Sequence, residues 1–396
     1  MISNSSFPPL KIRGRTLLPI VQGGMGVGVS AHRLAGSVAR EGALGTIASI
    51  DLRHHHSDLI EMCKAKPDRE TLEQANLIAL EREIRAAKAL AEERGMIAVN
   101  VMKAVRAHAD YVRTACEHGA DAIVMGAGLP LDLPDLTQGH EIALIPILSD
   151  SRGIALVLKK WMKKNRLPDA IVIEHPALAG GHLGVTDLAD MNDARFGFAR
   201  VIEETTQTIE SLGLSRADIP LIVAGGINSH EAVRACLAAG ANGVQLGTPF
   251  AVTQEGDAHP NFKRVLADAT PEDIVEFVSV TGLPARAVRT PWLDRYLRNE
   301  ARIRNKIGLV KNACPTALEC LSVCGLRDGI EKFGHFCIDT RLAAALRGDV
   351  NNGLFFRGRE ALPFGRAIRS VHDLLELLMT GVARPAVENR CAYALS

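Results

Sequence analysis

The segment Ala179-Gly180-Gly181-His182-Leu183-Gly184 combines the residue types that chemistry on a flat ligand needs. It follows the apolar run Ala170-Ile171-Val172-Ile173-Glu174, so it lies where a buried strand empties into a loop. Glycine has no Cβ, and its backbone can approach a planar group that any other residue would hold off. His182 adds an imidazole whose proton exchanges near neutral pH. Together they read as a planar cofactor with a proton-transfer group beside it. A tight loop carrying a solvated histidine is the plain alternative.

Two more loops carry a cofactor signal. Leu221-Ile222-Val223-Ala224-Gly225-Gly226-Ile227 and Val244-Gln245-Leu246-Gly247-Thr248 each end an apolar run in glycine. Unobstructed amides there, with a helix N-terminus following, suit one phosphate. Glycine used only to end strands does not account for the pairing of both loops. The loop Gly23–Ala31 holds a loose G-x-G-x-x-A match at Gly26, Gly28 and Ala31. The acidic residue that a dinucleotide fold places about 20 positions later is not convincingly placed after the second strand. That loop therefore reads as packing against a ring face rather than gripping a pyrophosphate.

Eight short apolar runs, each separated by a helix-length segment, must position these loops. They are Pro19–Gly24, Leu44–Ser49, Ile97–Met102, Ala122–Gly128, Ala143–Ser149, Ala170–Glu174, Pro220–Gly226 and Gly243–Thr248. Eight such units predict a (β/α)8 barrel, with a doubly wound open sheet as the rival. Barrel chemistry gathers at the C-terminal strand ends. This chain puts its unusual residues there: Gln22, Gly23, Gly24, Met25, Asn100, Gly126, Gly128, Ser149, Glu174, Ala224, Gly225, Gly226, Gly247 and Thr248. The stretch Asp51–Gly95 is long enough for a barrel helix plus an extra one. Its run His54-His55-His56 lacks the i, i+4 spacing of helical metal ligands, so a solvated helix start is expected.

Past about residue 290 the barrel rhythm stops. The expected division is a barrel over 1–290, with a helical insertion near 51–95, and a C-terminal extension over 291–396. The extension holds a Gly353–Gly358 stretch rich in Phe and Arg and an amphipathic helix around Val371–Met379.

The 396 residues are 47% hydrophobic and 23% charged, which gives ample core for an ordinary globular enzyme. A net charge of +1 and 4% aromatics leave neither the electrostatic footprint nor the stacking platforms that nucleic acid or an anionic membrane requires. The segment Met1–Pro9 lacks the pattern of a signal peptide, and no apolar run reaches membrane-span length. A cytoplasmic enzyme for a small-molecule substrate is expected, with a homo-oligomer compatible.

Cys63, Cys116, Cys236 and Cys391 are isolated and read as small hydrophobes in a reducing compartment. Cys314, Cys320, Cys324 and Cys337 fall in one stretch, spaced C-x5-C-x3-C-x12-C. Four thiols so placed suit a [4Fe–4S] cluster or a zinc ion, the former ahead because C-x2-C pairs are absent. Four reduced cysteines used as packing are the plain alternative.

Pro19–Met25, Val99–Met102, Ala179–His182, Ala224–Ile227, Gln245–Thr248 and Ala258–Lys263 together resemble the nitronate monooxygenase (2-nitropropane dioxygenase) family, whose fold the flavin-dependent enoyl-acyl-carrier-protein reductases share. The resemblance covers roughly Phe7 to Lys263 and implies an FMN-binding barrel. It implies that Gln22, Gly23, Gly24, Met25 and Asn100 line the isoalloxazine, that Ala179, Gly180 and Gly181 pass along it, and that Ala224, Gly225, Gly226, Gly247 and Thr248 hold the phosphate. Glu174, at its own strand end, joins that set, and His182 matches the catalytic histidine. The long Asp51–Gly95 connection and the cysteine-bearing extension depart from the common core, and loops set the substrate. Two activities follow. One is oxidation of alkyl nitronates or nitroalkanes with O2. The other is NAD(P)H-dependent reduction of an activated double bond or a quinone, which an iron–sulfur cluster would favour.

Overall fold

Period-two alternation sends successive strand residues to opposite faces of a sheet, and here the two faces meet different partners. The computed structural model describes residues 7–64, 67–307 and 313–383; Cys391 lies outside them. Eight parallel strands close into a barrel. They are β1 (Ile20–Gln22), β2 (Leu44–Ala48), β3 (Met96–Met102), β4 (Ala122–Gly126), β5 (Ala143–Leu148), β6 (Ile171–Glu174), β7 (Leu221–Ala224) and β8 (Gly243–Leu246). Neighbours follow chain order, and β6 pairs with β7 in register Leu221↔Ile171 to Ala224↔Glu174. The open-sheet rival is excluded.

Along β3, Ile97, Val99 and Val101 face the helices, whereas Ala98 joins the core inside the barrel. Asn100 shares the inward face with Ala98 and stands nearer the C-terminal mouth. In β6, Ile171 and Ile173 face out and Val172 faces in, which turns Glu174 inward at the mouth. In β8, Val244 and Leu246 face out, so Gln245 faces in. The strand ends thus deliver alternate residues to one rim.

Helices His32–Arg40, Arg69–Ala91, His108–Glu117, Ser151–Met162, Phe198–Ser211 and His230–Ala238 form the outer layer. The extra helix expected between β2 and β3 is Ser57–Met62, a short one that precedes the long Arg69–Ala91. The helix Val371–Thr380 packs on both His230–Ala238 and His32–Arg40. Its Val371, Leu374, Leu375, Leu378 and Met379 are buried in the same core as the outward faces of the strands. It fills the place where the helix of the eighth unit belongs. Ser370 and Asp373 form a capping box that starts it.

Between β8 and that helix the chain builds a cap over the mouth. Strands Ile274–Val278 and Pro284–Val288 pair antiparallel, and the second also pairs with Gly181–His182. Phe277, Trp292, Tyr296 and Phe336 gather beneath this small sheet into a separate aromatic core. Among the described residues no helix is long and apolar enough to cross a membrane.

Candidate active site

A cavity of about 310 Å³ opens where the strand ends meet the cap. The loops after β1, β6, β7 and β8 all reach it, bringing Gly23, Gly24 and Met25 together with Ala179–Gly181, Ala224–Gly226, Gly247 and Thr248. Asn100, Glu174 and His182 line it as well. Of the strand-end residues singled out in the sequence, Gln22, Gly128 and Ser149 do not.

Gln22 is a correction with a simple cause. It shares the outward parity of Ile20, and its carboxamide is consumed in bridging β1 to β2. Oε1 accepts from Thr46 N at 2.8 Å and Nε2 donates to Thr46 O at 3.1 Å and to Gly23 O. The glutamine that faces the cavity is Gln245, whose buried Oε1 has no hydrogen-bond partner among the described residues.

The two glycine loops form a cradle of unused donors. Gly225 (φ 109°) and Gly226 (φ 73°) occupy backbone regions that favour glycine. The amides of Gly225, Gly226, Gly247 and Thr248 donate to no group among the described residues. These residues are half-buried on the cavity wall, and an anion is the natural partner for several converging donors. Thr248 Oγ1 accepts from Gly358 N at 2.9 Å, which ties the cap to the same corner.

Gly180 has a different reason to be glycine than approach to a ring. A Cβ there would stand 2.5 Å from Arg357 C and Gly358 N, so the cap backbone lies directly on it. Gly181 (φ 74°) faces the Phe356 ring instead. Arg286, wholly buried on the strand Pro284–Val288, holds this loop from behind. It donates to Pro176 O at 3.4 Å and to Ala179 O, and it pairs with Glu276 at 3.0 Å.

His182 Nε2 meets Ser279 Oγ at 2.9 Å. Ser279 is itself buried, at the turn joining the two long cap strands. Nδ1 has no partner among the described residues. Burial pushes the imidazole down to about 4, so it is neutral at pH 7. Burial acts on Glu174 in the opposite sense and raises its carboxyl to about 7. The Glu174 carboxyl makes no hydrogen bond or ion pair among the described residues.

The histidine run is not a solvated helix start. His54 Nε2 lies 2.9 Å from Asp51 Oδ2, His56 Nε2 3.0 Å from Glu83 Oε1, and His55 Nε2 2.8 Å from Gly28 O. Each ring is at least half-buried and anchors the β2–β3 connection. Burial alone would raise Asp51, but His54 and Arg53 hold its carboxyl well below the usual range. Its neighbour Asp339, on the cavity wall, is pushed far up by burial and by the Asp51 charge.

Residues 10–381 match the family profile of the nitronate monooxygenases. The chain belongs to the nitronate monooxygenase family. It is therefore an oxidoreductase, in a family of flavoproteins. A probable nitronate monooxygenase of Bacillus subtilis (strain 168) is 27% identical over 289 residues, which is 70% of this chain and 78% of that one. A (3aS,4S,5R,7aS)-5-hydroxy-7a-methyl-1-oxo-octahydro-1H-indene-4-carboxyl-CoA dehydrogenase of Rhodococcus jostii (strain RHA1) is 31% identical over 109 residues, 28% of this chain and 29% of that one. Among solved structures, FabK from Thermotoga maritima superposes with a TM-score of 0.59 at 21% identity, covering 91% of both chains. Nitroalkane oxidase from Streptomyces ansochromogenes gives 0.58 at 22% identity, covering 91% of this chain and 94% of that one. These two likenesses show the fold.

The family's flavin fits what the residues offer: a cradle of unpaired amides, an unpartnered buried Gln245 Oε1 and a glycine-lined wall. Ser279, Arg286, Gln245 and the Phe356–Gly358 strap were not legible as site residues in the sequence. Only Gln245 carried a signal, its inward parity in β8. The other three reach the site through pairings distant in the chain.

Among the described residues no group of three or more His, Cys, Asp or Glu side chains is arranged to hold a single metal ion, so the zinc expectation has no support, and the iron–sulfur expectation gains none from it. Cys63, Cys116, Cys236, Cys314, Cys320, Cys324 and Cys337 are all free cysteines.

Proposed function

We propose that the chain is an FMN-dependent enzyme that oxidises alkyl nitronates or nitroalkanes with O2. The observation that carries this reading is His182, neutral and desolvated on the cavity wall, with Nε2 committed to Ser279 and Nδ1 unpaired. A neutral nitroalkane must lose its Cα proton before oxidation, and a neutral imidazole can accept it. The imidazolium so formed stands beside the nitronate anion, and that opposite charge raises the histidine's proton affinity when it is needed. A preformed nitronate skips the proton transfer and draws on the same charge pairing.

Gly225, Gly226, Gly247 and Thr248 would hold the phosphate through their free amides. Gly23, Gly24, Met25, Asn100 and Ala179–Gly181 would flank the ring, with Gln245 Oε1 as an acceptor. Bound FMN supplies electron acceptance, while the chain supplies position and protons. Such an enzyme takes a small-molecule substrate and fits a cytoplasmic setting.

Glu174 favours a second reading, NAD(P)H-dependent reduction of an activated double bond or a quinone. Reduction needs a proton donor at neutral pH, which a carboxyl at about 7 can be and His182 cannot. Anaerobic titration of the purified flavoprotein separates the two. Bleaching by an alkyl nitronate and not by NADH or NADPH supports oxidation. Bleaching by a reduced nicotinamide alone overturns it in favour of the reductase.

A further inference from the structure

The four cysteines of the cap come from three different local structures. Cys314 and Cys320 flank a loop curled by two left-handed non-glycine residues, Ala317 (φ 57°) and Glu319 (φ 47°). Cys320 and its neighbours dock on the β3–β4 connection, through Arg106 N to Cys320 O at 3.0 Å and Ser322 N to Ala104 O at 2.9 Å. Cys324 leads into the turn Gly325–Asp328, and Cys337 caps the nine-residue helix Ile338–Leu346. Despite these separate origins, all four border one small void of about 20 Å³.

The rest of that void's lining is mostly apolar, with Pro315, Leu321, Leu326 and Ile338 beside the charged Glu319 and Arg327. Water needs two to four polar partners to occupy such a space. Cysteines serving as packing would fill the centre with their own sulfur, since protein interiors close to crystal-like density. A single ion would draw four sulfurs to within about 3.8 Å of one another, given a zinc–sulfur bond of about 2.3 Å. Free thiols standing round a dry space are laid out for an occupant larger than one ion.

We propose that Cys314, Cys320, Cys324 and Cys337 bind an iron–sulfur cluster of the [4Fe–4S] type. On assembly the four S–H protons leave to solvent and four Fe–S bonds form. Two ferrous and two ferric ions with four sulfides make a core of charge two plus, and four thiolates bring the whole to two minus. The surroundings of Cys337 suit that charge. Cys337 sits at the positive end of its helix, and Thr340 Oγ1 donates to its sulfur at 3.2 Å. Arg327 lines the void beside Glu319, paired with Asp328 at 2.7 Å and held by Leu321 O at 2.8 Å and Ser322 O at 3.0 Å. Hydrogen bonds and charges around the sulfurs are the levers by which a protein tunes such a cluster.

The void is not remote from the flavin site. Cys320, Leu321 and Ile338 line both spaces, so a wall one residue thick separates them. The site's existence does not depend on which substrate the flavin cavity takes.

The test is metal content of the full chain, prepared anaerobically and reconstituted with equal amounts of ferrous and ferric iron and with sulfide, with flavin quantified separately. We expect about four iron and four acid-labile sulfides per chain, and an electron-paramagnetic signal on dithionite reduction. Cys324→Ser should lose most of the iron while retaining flavin, whereas Cys236→Ser, on an outer barrel helix, should keep both. Wild-type protein that carries flavin but no iron, with four titratable thiols in this segment, overturns the proposal. So does about one zinc per chain. Iron and sulfide in a chain without flavin would support this site and sink the FMN reading instead.

Discussion

His182 and Glu174 share one cavity yet hold their protons in the reverse of their free-side-chain order. The histidine is neutral down to about pH 4 and the glutamate stays protonated up to about 7, both because burial penalises charge. If His182 takes the substrate proton, His182→Asn should fold, keep its flavin and lose roughly 10²–10⁴-fold in kcat/KM on a neutral nitroalkane. A preformed nitronate should suffer less, because its proton is already gone. Equal and negligible loss on both would make the histidine structural. For Glu174, the folded chain binds more protons than the unfolded one between its ordinary value of 4.5 and about 7. Its contribution therefore lowers stability as pH rises through that window, and Glu174→Gln removes the loss. Flavin-free E174Q should be more stable than wild type at pH 8, with a ceiling of about 3 kcal/mol, and indistinguishable from it at pH 4. Urea unfolding at both values checks it, and no gain at pH 8 would show a solvated carboxyl. Two glutamines show what the sequence made legible at this scale. Gln22 ends β1 and Gln245 is the last residue but one of β8, and strand parity turns the first outward with Ile20 and the second inward between Val244 and Leu246. Parity was readable from the sequence, whereas Ser279 against His182 was not, because their pairing joins segments about a hundred residues apart.

The loops at the strand ends were legible because glycine marks each of them, and the barrel rhythm put them on one rim. What covers them was not. The strap Phe356–Gly358 reaches the site through backbone contacts, with Gly358 N on Thr248 Oγ1 and Arg357–Gly358 lying on Gly180. Backbone contacts leave little trace in side-chain types. Gly180 thus serves the join between barrel and cap. Gly180→Ala should push strap and loop apart, at the roughly 1–3 kcal/mol typical of overpacking. Because the strap also borders the flavin cavity, we expect weaker flavin retention, on the order of tenfold in dissociation constant for each 1.4 kcal/mol transferred to that site. Fluorescence of released flavin measures it directly. Unchanged retention would mean that the strap yields without disturbing the cavity.

At the scale of the molecule, eight strand runs were enough to read the barrel, since each closes with its chain neighbour. The eighth helix escaped that reading because the whole cap is inserted between β8 and Val371–Thr380. Its amphipathic pattern was visible, but nothing local says that its apolar face belongs to the barrel. We propose that barrel and extension form one folding unit rather than a barrel over 1–290 with an appendage. Leu375, fully buried between the His32–Arg40 and His230–Ala238 layers, tests this. Leu375→Ala should cost about 2–5 kcal/mol, the usual range for a buried leucine. As one unit, that loss must move flavin release and helix melting together, as Val233→Ala on the neighbouring helix should by a smaller amount. An appendage would behave differently, because truncating its core would melt the extension early and leave the barrel's flavin release where it was. Thermal unfolding followed by flavin fluorescence and circular dichroism on both variants decides it. Two separated transitions in Leu375→Ala would restore the two-part division, whereas one shared and lowered transition would show that the helix Val371–Thr380 closes the barrel.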